Sequence, residues 1–89
     1  MKAVISVVGR DAIGIIAKIS AECAACSVNI LDISQSVLHD YFTMIMITDI
    51  GEISIPFTEF VDRMAKLGRA NGLEIHAMHE EIFNSMHQI

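Results

Sequence analysis

Cations are scarce in this sequence. Its 89 residues hold six Lys and Arg against eleven Asp and Glu, a formal net charge of −5. It therefore lacks the basic face that binding a nucleic-acid backbone requires. Long apolar runs are missing too. None reaches the ~18 residues that read as a membrane span. The opening Met1-Lys2-Ala3-Val4 leads into a short apolar run that Arg10 and Asp11 end, too short for a signal peptide. The chain is expected to be cytoplasmic. Cysteine is limited to Cys23 and Cys26, with no second pair to complete a zinc site, and free thiols fit that compartment. There is no Walker loop, no G-x-G-x-x-G, no activated Ser or Cys motif and no pair of carboxylates poised in a cleft. The expectation is a protein without enzymatic activity, cofactor or metal.

What the sequence does have is apolar surface. Hydrophobic residues make up 53% and charged ones 19%, enough to fold one domain against chain entropy. That domain is expected to span 1–89, with a core over 2–79 and a helical tail over 80–89. The apolar excess is more than so small a core needs, which points to surface buried against a partner.

Lys2 to Val8 is apolar on both faces and reads as a buried strand, β1, ending at Gly9. Asp11 suits a helix N-cap. Ile16, Ile19, Cys23 and Cys26 then mark one face of a helix, α1, over about Ala12 to Ser27. Val28 to Leu38 forms β2, in which Leu31, Ile33 and Val37 alternate with Asp32, Ser34 and Ser36. His39-Asp40 is a short hairpin turn, and Tyr41 to Thr48 forms β3. The single proline, Pro56, suits the first turn of a helix. Phe57, Phe60, Val61, Met64 and Leu67 form the stripe of that helix, α2, which Asn71-Gly72 stops. Leu73, Ile75 and Ala77 alternate with Glu74, His76 and Met78 in β4. Ile82, Phe83 and Met86 then predict a short C-terminal helix. The order βαββαβ with right-handed crossovers gives an α+β, ferredoxin-like sandwich. Its antiparallel sheet has order 4-1-3-2, with α1 and α2 on one face.

Two stretches, Val8-Gly9-Arg10-Asp11-Ala12-Ile13-Gly14-Ile15 and Ser27-Val28-Asn29-Ile30-Leu31-Asp32-Ile33, resemble the ACT domain family over roughly Lys2 to His79. Length and tail are similar to those of small bacterial proteins made of one ACT domain, and there is similarity to the ACT modules of the glycine cleavage system transcriptional repressor. The resemblance implies a regulatory module that dimerises and binds an amino acid between subunits. The family's ligand positions carry over to Asp11 and Gly14 in the β1–α1 loop and to Asn29 and Ile30 at the start of β2. Ala12 and Ile13 line the same loop by position. Ile13 stands where many members carry Pro. Any output is expected to pass through another protein, the regulated partner.

The residues themselves favour the same place. Unpaired amides opening α1 seat a carboxylate. Gly14 allows close approach, Asp11 offers a partner for an ammonium group, and Asn29 both donates and accepts. An edge strand with neither Pro nor Lys, as β2 is in this order, is unprotected against pairing with a second copy. The open sheet face, carrying Met44 and Met46 or their alternates, would allow a dimer of dimers. Structural roles compete throughout. Asp11 reads equally as a cap, Gly14 as a packing residue and Asn29 as a strand-entry residue. A structural or interaction dimer with a vestigial ligand site is the alternative function.

The remaining candidates favour structural roles. The C-x-x-C pair falls in the last turns of α1, where the helix dipole does not lower a thiol pKa, so both cysteines read as core. His76 and His79 sit three apart on a strand and point to opposite faces. They read as surface residues rather than a metal pair with His87 and Glu80.

Overall fold

Strand β1 (Lys2–Gly9) lies at the centre of the sheet because both of its faces are apolar. The structure is a computed structural model and describes residues 1–10 and 13–86. In it the chain runs β1, α1 (Ile15–Ala25), β2 (Asn29–Leu38), β3 (Tyr41–Asp49), α2 (Phe57–Ala70), β4 (Glu74–His79) and α3 (Glu80–Met86). The sheet order is β2-β3-β1-β4 with antiparallel neighbours throughout. This is the expected ferredoxin-like order read from the opposite edge.

Register sorts the side chains. Ala3, Ile5 and Val7 pair with Thr48, Met46 and Met44, and Ile5 and Val7 with Ala77 and Ile75 on the other side. Cross-strand partners share a face. These residues therefore form one layer, which packs against Ile15, Ile19 and Cys23 of α1 and Phe60 and Met64 of α2. Thr48 is the one buried polar residue among those described, and its hydroxyl donates to the Ala3 carbonyl at 2.9 Å. Met44 and Met46 thus belong to the core, and their alternates Thr43, Ile45 and Ile47 face the other way. Val4 also lies on that far face. It is only 1% exposed, at the side of the sheet where α3 packs against β1 and β4.

Helix α1 is shorter than the expected 12–27. Its N-cap is Gly14, with φ 73° and no side-chain cap, and not Asp11. A residue in the left-handed region cannot continue a helix backwards, so the helix starts three residues late. Its far end is a Schellman motif. Ser27 takes φ 58°, its N–H donates to Ala24 O, and the Val28 N–H donates to Cys23 O at 2.8 Å. Val28 is therefore part of this cap, and β2 begins one residue later. The buried stripe is Ile15, Ile19, Cys23 and Cys26, with Ile16 only half-buried beside it. Helix α2 ends as expected, with Gly72 at φ 69° and Leu73 N–H donating to Gly68 O.

Strand β2 departs most from a regular alternation. A bulge between Ile30 and Asp32 puts Leu31 out of step, so Ile30 opposes Thr48 while Asp32 opposes Ile47. Apart from half-buried Ile30, the whole strand is exposed.

Candidate functional site

The β1–α1 loop leaves the sheet at the end where Gly9 pairs with Phe42. Gly14 closes the loop, and its carbonyl accepts from the Lys18 N–H at 3.2 Å, the first bond of α1. Gly14 itself supplies no side-chain cap, and no acidic residue lies in the first turn. The positive end of the helix dipole is therefore offset by no acidic side chain in the first turn. A Cβ on Gly14 would meet nothing within 4 Å. The glycine is required by its backbone angle and not by packing. Ile13 beside it is 90% exposed, whereas Ile15 is buried and anchors the helix. Asp11 and Ala12, the other two loop candidates, lie outside the described residues.

Asn29 and Ile30 are at the opposite end of the sheet. Asn29 pairs with Asp49, which pairs in turn with Lys2. Asn29 is exposed; Ile30 is half-buried, packs against the core and opposes Thr48. Strand β1 has eight residues, so the two poles are about 23 Å apart at ~3.3 Å per residue. Within one chain the fold does not bring the two halves of the candidate site together.

The edge that joins the poles is β2, whose outer side pairs with no described strand. The Ile33 amide donates to its own Asp32 carboxylate at 2.9 Å. Amides alternate between the two sides of an antiparallel strand. An Ile33 amide turned away from β3 puts the Gln35 and Val37 amides on the outer side as well. Val37 and Leu38 are 72% and 68% exposed, and Leu31 and Tyr41 are exposed too. This edge carries apolar side chains and free backbone polarity together.

The other sequence candidates behave as core or surface. Cys23 and Cys26 are both free and buried. Burial, with Cys26 and Glu22 close by, pushes the Cys23 thiol up from 9.0 to about 11, which makes it a poor nucleophile. Arg63 reaches this region, with Nη1 3.8 Å from Glu22 and donating to Cys26 Sγ at 3.7 Å. His79 opposes Ala3 on the helix face and stacks on Phe57 at 4.2 Å, whereas His76 opposes Ser6 on the open face, 3.2 Å from Glu74. No three described His, Cys, Asp or Glu residues are grouped to hold a metal ion. No helix of the described residues is long and apolar enough to cross a membrane.

Sequence reasoning missed one arrangement. Arg10 lies over the Tyr41 ring, 5.4 Å from its centroid, and donates to the Tyr41 hydroxyl at 3.4 Å. The two residues line a groove with Arg69 and Gly72. Their separation in sequence hides the grouping. Only the pairing of Gly9 with Phe42 brings Arg10 beside the start of β3.

Comparison with known proteins agrees with this architecture. A family model described as ACT domain matches residues 2–76. A UPF0237 protein of Listeria monocytogenes serotype 4b is 42% identical over 89 residues, the whole of both chains. An ACT domain protein from Streptococcus pneumoniae superposes with a TM-score of 0.81 at 37% identity, over 93% of each chain. A putative glycine cleavage system transcriptional repressor gives a TM-score of 0.70 at 23% identity, over 86% of this chain and 44% of that one, a likeness of fold.

Proposed function

This chain belongs to the ACT domain family of regulatory small-molecule-binding modules, and on that premise we propose that it works as a homodimer that binds an amino acid or related small ligand between subunits. Occupancy is relayed to a partner protein, with no chemistry performed on the ligand.

The division of the candidate site supports this reading most directly. Gly14 closes the loop at one pole and Asn29 stands at the other. Antiparallel pairing of β2 with a second β2 about a two-fold axis turns the partner's Asn29 to the pole that holds Gly14. The opening amides of α1 then meet the ligand carboxylate, and the partner's Asn29 meets its second polar group. Because the cleft spans the seam, a ligand that fills it favours the paired state, and a change in association is what a partner protein would read.

Calorimetry against a panel of free amino acids, with the association state followed by sedimentation, tests the reading. One amino acid should give saturable heat and tighten the dimer. A dimer that forms with no heat from any amino acid at millimolar concentration would leave only the scaffold with a vestigial site. A monomer at all concentrations would remove both.

A further inference from the structure

The chain has three arginines, Arg10, Arg63 and Arg69. Arg63 is held by Glu22 and Cys26. Arg10 and Arg69 line one groove of about 460 Å³ between the exit of β1 and the turn from α2 to β4. In a chain of net charge −5, two of three guanidinium groups thus lie in one place. Among the described residues neither is paired with a carboxylate. Like charges gathered in one groove raise each other's energy, which a bound anion relieves.

We propose that this groove is an anion site contained within a single chain, and that it takes a small dicarboxylate. Arg10 is steadied from below by the Tyr41 ring and hydroxyl, which leaves the rest of its donor fork for a ligand. Arg69 enters from the last turn of α2. The two cations come from different elements, an arrangement suited to a ligand with a carboxylate at each end, because a guanidinium grips a carboxylate with two parallel bonds. The volume falls within the range of small-molecule sites and exceeds what one tetrahedral oxyanion fills. Val8 and Leu73 also line the groove and offer apolar surface to a methylene spacer. Glycine forms part of the wall. A Cβ on Gly9 would come 1.9 Å from Leu73 Cδ2, so the Leu73 side chain lies directly against the bare backbone of the β1 exit. Glu74 lines the same groove, its carboxylate 3.2 Å from His76 Nε2. It opposes an anion and limits affinity.

This site does not rest on the dimer. Titration of the full chain with succinate, followed by backbone amide NMR, should give saturable shifts at Gly9, Arg10 and Gly72. Arg10→Gln and Arg69→Gln should each weaken binding about tenfold or more, with the folded spectrum retained. Glu74→Gln should tighten it, whereas a ligand held through an ammonium group would be weakened by that change. Gln35→Pro, which attacks the outer side of β2, should leave succinate affinity unchanged even where it abolishes amino-acid binding at the seam. The proposal is overturned by an absence of saturation at tens of millimolar succinate, or by binding that survives both arginine substitutions. Inorganic phosphate that binds as tightly as succinate overturns the dicarboxylate assignment.

Discussion

Gly68 sits within α2, where glycine ordinarily weakens a helix by about 1 kcal/mol relative to alanine. Here a Cβ would lie 2.7 Å from the Leu73 carbonyl and 3.1 Å from Ile75. The obstacle at 2.7 Å is backbone, which cannot swing aside as a side chain does. Gly68→Ala should therefore destabilise the protein by about 1–3 kcal/mol, measured as a fall in the urea midpoint. A rise would mean that α2 and β4 separate easily. Cys23 carries the second prediction at this scale. Its folded pKa of about 11 lies above the ordinary thiol value of 9.0, so the native state holds a proton that the unfolded chain releases between those two values. Stability should fall as pH rises from 9 to 11, by up to about 1.4 kcal/mol per pH unit. The fall should be absent below pH 9 and smaller in Cys23→Ala, as denaturation midpoints at several pH values would show. An equal slope in both proteins would mean that another group titrates there.

At the scale of elements, the strands were legible wherever apolar period and burial coincide. β1, β3 and β4 lie under the helices, and their sequences say so. β2 was read correctly as an edge strand, but its alternation of Leu31, Ile33 and Val37 suggested one face set against a core. Only Ile30, at its start, packs against the core, and the bulge at Leu31 breaks the phase. A bulge is set by pairing with β3, and the sequence of β2 alone carries no mark of it. Helix α1 shows the same limit. Asp11 had the chemistry of a cap, yet the left-handed angle at Gly14 decided where the helix begins. The outer side of β2 gives the prediction here. Proline at Ser34 would remove an amide that faces β3 and would damage the fold. Gln35→Pro removes one that faces outward. It should keep the far-ultraviolet spectrum and shift sedimentation towards monomer. A dimer of unchanged stability would place the contact elsewhere, such as the face that carries Ile45 and Ile47.

For the whole molecule, the candidate residues were found in sequence, and the crossover order implied their separation. Gly14 and Asn29 are only fifteen positions apart in the chain, and the crossover order read from the sequence already implies that α1 carries the chain from one pole of the sheet to the other. The Arg10–Tyr41–Arg69 groove was invisible, since it gathers residues remote in sequence.

The polar separation of Gly14 from Asn29 has a genetic consequence. If each receptor combines one half from either copy, a strain producing Gly14→Val and Asn29→Ala chains together assembles hybrids in which both lesions fall in one cleft and the other is intact. Random assembly would restore about one cleft in four, although neither parent binds by itself. Such rescue by mixing two defective alleles should appear as a quarter of wild-type stoichiometry, and its absence would place both halves of the receptor in the same polypeptide.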